Sequence, residues 1–304
     1  MGSAGAHRKR LSTSWWRWAC GTAVLLAVWS VAAPPAAVAS PATMSAAAGR
    51  YVALGDSYAS GEGVEPFLPG TNEAQPQNRC HRSSLAYSQL LGDAAGVPAV
   101  REFWACSGAR IGNFFSGQGQ WGEAGQLEHL HADTQLVTLS VGGNDLQFAT
   151  VLGSCFTMRS CQGKLAPIAR LLLDHTEGRL RDLYREVLAR APQARVVVVG
   201  YPRFVAAVPS PLCGLLGLDV GEARWLVAEV EQFDAVTRRI VDGLADPRLR
   251  YVSTLDAFAG GEACSASSRF VAGIGPRHPV YSFHPTREGQ AVLAARVVAA
   301  LGSA

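Results

Sequence analysis

Apolar residues along this chain recur in two rhythms. Short, mainly apolar runs occupy 50–55, where Tyr51, Val52, Ala53 and Leu54 lead into a Gly-Asp-Ser turn, 97–104, which leads to Cys106-Ser107-Gly108, and 136–141, which leads to Gly142-Gly143-Asn144-Asp145. A β-branched run at 195–199 and a further run at 250–255 complete the set. Continuous apolar strands with polar or glycine-rich ends are what a parallel sheet buried on both faces requires. Between them, helical periodicity predicts helices over 85–95, 125–131, 166–190, 220–244 and 286–301. Strand alternating with helix predicts a doubly wound α/β domain. Ligands bind such sheets beyond the carboxyl ends of the strands, and the polar clusters at Ser57, Gly108 and Asn144 all fall there. The Gly- and Pro-bearing stretches 61–78, 110–121 and 209–218 read as long loops, either binding and lid elements or tied-down surface.

The amino terminus follows a different pattern. A basic stretch at 7–10, a largely apolar stretch at 18–33 and the small-x-small triplet Ala37-Val38-Ala39 predict a secretory signal peptide over 1–39. Its apolar core is shorter than the roughly 20 residues of a spanning helix, and Pro34 and Pro35 follow it. The expectation is a secreted, extracellular protein, monomeric and without stable membrane insertion after processing. Residues 40–304 read as a single domain, with 40–49 flexible, since no Pro- or Ser-rich linker divides them and one core supports that length.

Charge then changes its meaning. Cleavage after Ala39 removes four of the 27 basic residues (Arg8, Lys9, Arg10, Arg17) and none of the 24 acidic ones. The remainder is close to neutral, without the basic footprint of a nucleic-acid binder and without a polybasic membrane contact. Cleavage also removes Cys20, leaving Cys80, Cys106, Cys155, Cys161, Cys213 and Cys264, an even number for an oxidising compartment. Three disulfides are the natural reading. Other connectivities stay open, but sequence order favours Cys80 with Cys106, Cys155 with Cys161 and Cys213 with Cys264, each pair flanking loop-like sequence. A zinc site is disfavoured because no C-x-x-C occurs, and no metal or cofactor is expected.

The candidate chemistry starts at Ser57, set on a turn directly after the first strand in Gly55-Asp56-Ser57-Tyr58-Ala59-Ser60-Gly61. Asp and Ser there can equally be a helix cap. The segment is not the G-x-S-x-G elbow of α/β-hydrolases, since Ala59 stands at the second glycine. Of the histidines, His284 has the distinctive setting: Pro285 stiffens the backbone beside it and Thr286 can cap the last helix. His129 and His131 read as surface residues. A serine nucleophile with a histidine base also needs donors aimed at a developing oxyanion, and the backbone N–H groups of Ser57 and Gly108 and the amide of Asn144 are the candidates. Asp56 and Asp145 are expected to brace loops.

Taken jointly, these residues resemble the SGNH, or GDSL-type, hydrolases, which carry Ser, Gly, Asn and His in four blocks; here they would be Ser57, Gly108, Asn144 and His284. The stretches GDSYASGEG, ACSGA and FHPT are similar to those of secreted actinobacterial lipases and esterases. The resemblance implies a flavodoxin-like three-layer α/β/α fold with a five-stranded parallel sheet in the order 2-1-3-4-5, no metal requirement, and three disulfides joining successive cysteines. Many members carry Asp three residues before the histidine, where this chain has Tyr281. The expectation is therefore a Ser57–His284 dyad with a main-chain carbonyl of Tyr281 or Ser282 orienting the imidazole. The implied reaction is hydrolysis of fatty-acyl or lipid esters through an acyl-enzyme. An acetyl esterase acting on carbohydrate and a non-catalytic glycan or cell-wall binding module are the alternatives. An apolar acyl groove is expected from Phe114, Phe115, Trp121 and the 212–218 segment, unless these pack under loops.

Overall fold

The computed structural model describes residues 49–302 apart from 75–76, 95, 159 and 274–280. The expected signal peptide and nearly all of the segment 40–49 lie outside the described residues.

Five parallel strands carry the fold. β1 (Arg50–Gly55) is buried from Tyr51 onward and lies at the centre of one half of the sheet. It pairs with β4 (Val100–Phe103) on one side and β5 (Thr134–Ser140) on the other. β6 (Arg195–Val199) and β7 (Leu249–Val252) extend the sheet beyond β5, giving the order β4-β1-β5-β6-β7. In order of appearance that is the expected 2-1-3-4-5, with helices around the sheet. The two short strands β2 (Glu73–Ala74) and β3 (Gln77–Asn78) form a separate antiparallel pair within a stretch expected to be loop.

Helix bounds follow local chemistry. α6 (Val220–Leu244) begins where expected, because Asp219 accepts the Glu222 N–H at 2.8 Å in a capping box. α4 (Cys161–Arg190) begins five residues before the expected Ala166. Pro167 signals a first turn, yet a turn precedes it, secured by the Cys161 N–H on buried Glu222 at 2.9 Å. α7 (Arg287–Gly302) follows Thr286, whose hydroxyl accepts the Gly289 N–H at 3.2 Å.

Other segments depart from the reading of the sequence. Where a helix is expected over 85–95, the described residues 85–94 form a succession of turns, and the Tyr87 N–H is taken by the Gln290 side chain at 2.7 Å rather than by a carbonyl one turn back. The expected helix at 125–131 narrows to a 3₁₀ turn, Gln126–His129. α1 (Ser57–Ser60), α2 (Ile111–Ser116), α3 (Phe148–Thr157) and α5 (Pro211–Leu215) were not anticipated. They are short, or interrupted by Gly and Ser, so periodicity is faint in them. Cysteines pair in sequence order: Cys80–Cys106, Cys155–Cys161 and Cys213–Cys264 have S–S distances of 1.97, 1.98 and 2.11 Å.

Candidate active site

The turn after β1 is built around Gly55. Its φ of +140° suits glycine, and a Cβ would lie 2.5 Å from that of Ala59 and 2.6 Å from the Ser140 carbonyl oxygen. Its backbone is clamped by the Gln126 amide, which accepts its N–H at 2.8 Å and donates to its carbonyl at 2.9 Å. Asp56 then caps α1 by accepting the Tyr58 N–H at 3.0 Å. Ser57 is the first residue of that helix and is 8 % exposed.

His284 arrives from the far end of the chain. Phe283, before it, has a φ of +64°, and its N–H and the His284 carbonyl bond Ala272 at 2.8 and 2.9 Å, so the loop is pinned on both sides of the ring. The Thr286 hydroxyl donates to the Arg269 carbonyl at 2.8 Å as well as capping α7. Held in this way, His284 Nε2 lies 2.8 Å from Ser57 Oγ.

Two hydrogen bonds tie the segment bearing Gly108 to its neighbours. The Cys106 N–H donates to the Gly55 carbonyl at 2.9 Å, and Asn144 Nδ2 donates to the Ala109 carbonyl at 3.0 Å. Gly108, with φ +77°, lies between those two tethers. Asn144 lines the cleft beside Ser57 and His284, whereas Gly108 is not among the residues of its wall. Asp56 and Asp145 brace loops as expected. Asp145 accepts the Ile111 N–H at 3.0 Å and pairs with Arg179 at 2.8 Å. Asp256 pairs with Arg296 at 3.3 Å on the surface.

The cleft holds about 260 Å³ and is lined by Ser57, Asn144 and His284 together with Phe148, Leu152, Phe204 and Phe283. The expected acyl-groove residues are elsewhere. Phe114 is wholly buried in the core, while Leu212 and Leu215 are exposed on α5 and none of the group lines this cleft. The apolar wall comes instead from α3, which the sequence pattern did not reveal, together with Phe204 and Phe283. His129 is also not a plain surface residue, since its ring stacks on Trp104 with centroids 3.5 Å apart. Tyr201 was missed as well. It follows β6 by two residues, so the rule that strand ends carry function would have pointed to it.

Burial dominates the electrostatics here. Asp56 is almost without solvent contact, and burial pushes its carboxyl up to about 7 despite the Tyr201 hydrogen bond, which opposes the shift. Burial likewise raises the Tyr58 and Tyr201 phenols, leaving both protonated donors. No group of three or more His, Cys, Asp or Glu suited to a metal ion occurs among the described residues.

The GDSL-like lipase/acylhydrolase family model matches residues 53–292. The chain belongs to that family. As a GDSL-type protein it is a carboxylic ester hydrolase, and its relatives carry that chemistry in their names. It is 32% identical to "Lipase 1" of Streptomyces coelicolor over 261 residues, 85% of this chain and 89% of the relative. To the lipase of Streptomyces rimosus it is 32% identical over 243 residues, 79% of this chain and 82% of the relative. Among solved structures, phospholipase A1 from Streptomyces albidoflavus superposes with a TM-score of 0.70 at 32% identity, over 84% of this chain and 99% of that one. The extracellular lipase of Streptomyces rimosus gives 0.68 at 30%, over 84% of this chain and 100% of that one. Ser57, Gly108, Asn144 and His284 all lie within the matched region.

Proposed function

We propose that this ester hydrolase is a secreted lipase or esterase that cleaves fatty-acyl or lipid esters through an acyl-enzyme on Ser57. The observation that carries the reading is the 2.8 Å contact between Ser57 Oγ and His284 Nε2, across 227 positions of sequence. His284 removes the hydroxyl proton as Ser57 attacks the ester carbonyl. The Ser57 and Gly108 N–H groups and the Asn144 amide receive the oxyanion. At the first turn of α1 the Ser57 N–H has no carbonyl one turn earlier to bond, and one Asn144 N–H is fixed on Ala109 so that the amide plane is set. The alcohol then leaves with the proton held by His284, and water, activated by the same imidazole, releases the acid. A main-chain carbonyl of Tyr281 or Ser282 orients the ring and selects its tautomer, as a carboxylate does in a triad.

The phenylalanines and Leu152 of the cleft favour an acyl chain over an acetylated sugar. The names of the Streptomyces relatives, lipases and a phospholipase A1, favour the same substrate class. Secretion accords with the predicted signal peptide and the three cysteine pairs, and no helix among the described residues is long and apolar enough to cross a membrane.

The test is active-site labelling with a fluorophosphonate probe followed by burst kinetics on p-nitrophenyl esters of graded chain length. The expected results are modification at Ser57, a burst that Ser57→Ala abolishes, and a loss of at least about 10³-fold in kcat for either Ser57→Ala or His284→Ala. A label elsewhere or none would overturn the mechanism. Exclusive preference for acetyl esters would transfer the reading to a carbohydrate acetyl esterase, and a protein that binds glycan without turnover would make it a binding module.

A further inference from the structure

We propose that Tyr201 is a positioning residue whose single hydroxyl ties the turn bearing Ser57 to the loop bearing Asn144. This rests on the reading that Ser57 is acylated and Asn144 receives the oxyanion, and adds a part to it. The Tyr201 hydroxyl donates to Asp56 Oδ2 and accepts the Gly143 N–H at 3.2 Å. Asp56 is the cap of the helix that Ser57 opens, and Gly143 immediately precedes Asn144. One phenol at the end of β6 thus joins the ends of β1 and β5.

The surroundings suit a rigid link. Tyr201 is 5 % exposed, with its ring edge-on to Tyr58 at 5.1 Å and against Phe233 at 5.8 Å. In so dry a place hydrogen bonds are strengthened, and each group in the chain would be costly to leave unmatched. The Asp56 carboxylate has its other oxygen on the Tyr58 N–H at 3.0 Å, so the link runs from the helix backbone through carboxylate and phenol to the oxyanion loop. A displacement near 1 Å between attacking and stabilising groups typically costs about 10²-fold in rate. A link that fixes their separation therefore acts on the chemical step, although Tyr201 touches none of the reacting atoms.

Two variants cut the link at opposite ends. Tyr201→Phe keeps the ring and removes the hydroxyl. Asp56→Ser keeps a capping side chain for α1 but is too short to reach the phenol. The expected result on a p-nitrophenyl ester is a fall in kcat of about 10- to 100-fold in each, KM within about twofold of the wild type, and a double variant no slower than the slower single one, because both changes remove the same link. Unchanged kcat in both variants, or losses that multiply in the double, would overturn the proposal. So would a raised KM at unchanged kcat, which would make Tyr201 a wall of the acyl cleft and nothing more. Should Tyr201→Phe fail to fold, Asp56→Ser decides by its kcat alone. Failure of the fluorophosphonate to label wild-type Ser57 overturns the acylation reading and this proposal together. Labelling with unchanged kcat in the variants overturns this proposal only.

Discussion

The Tyr58 hydroxyl donates to the Phe283 carbonyl at 2.6 Å, so the residue after Ser57 holds the residue before His284. Phe283 sits at a φ of +64°, a conformation that a bulky side chain adopts only when its surroundings hold it there. The same Tyr58 is gripped from behind, for its own carbonyl accepts from the Gln290 amide of α7 at 3.1 Å. The two partners of the proposed dyad are therefore tied to one another by neighbours as well as by their own contact.

Replacing Tyr58 by Phe removes that tether and keeps the ring. A hydrogen bond of this kind contributes about 1 kcal/mol, so a stability loss of that size and a drop in kcat/KM of roughly fivefold or more are expected. Parallel denaturation and steady-state kinetics check this, and a variant with wild-type values in both would show the tether to be idle.

The pH dependence of stability follows from Asp56. Its carboxyl lies at about 7 in the folded protein against an ordinary aspartate value of 3.8, so the folded state holds the proton more tightly. That contribution is fully present below about 4 and is lost as pH rises from about 4 to about 7. Comparing denaturant unfolding of the wild type and Asp56→Asn across this range should show the variant gaining relative stability as pH increases. A difference between the two that does not change with pH would be incompatible with a buried, raised Asp56.

Gly153 lies inside α3, lines the cleft, and a Cβ there would meet nothing within 4 Å. Glycine within a helix costs about 1 kcal/mol relative to alanine, so Gly153→Ala should stabilise by roughly that amount without loss of turnover. Gly153→Phe should instead occupy the cleft and shift preference from octanoyl toward butyryl p-nitrophenyl esters. An unaltered chain-length profile would remove α3 from the acyl site.

The cysteine pairs close loops of unequal length, with sequence separations of 51 for Cys213–Cys264 and 6 for Cys155–Cys161. Chain entropy makes the longer loop the costlier to open, by about 2 kcal/mol. Paired serine substitutions followed by chemical denaturation are expected to give that order, and equal losses would place the stabilisation in local packing rather than in the unfolded chain.

The strands and the long helix α6 were legible in the amino-acid order because each is decided locally. A parallel strand buried on both faces must be apolar throughout, hence the agreement at Arg50–Gly55 and Arg195–Val199, and a capped helix declares its own start at Asp219. Residue types singled out Ser57, Gly108, Asn144 and His284 as candidates, and the folded chain brings Ser57, Asn144 and His284 to one cleft. What the order of residues could not show is which distant groups meet. The turns at 85–94 replace a helix in a stretch where Gln290 takes a backbone donor. The apolar side of the cleft comes from α3 with Phe204 and Phe283 rather than from the loops expected to form it, and Tyr201 becomes a link only once β6 lies beside β5. Periodicity records how one segment divides between core and water; the partner of a buried phenol or amide depends on where other segments come to rest, and only the packed chain decides that.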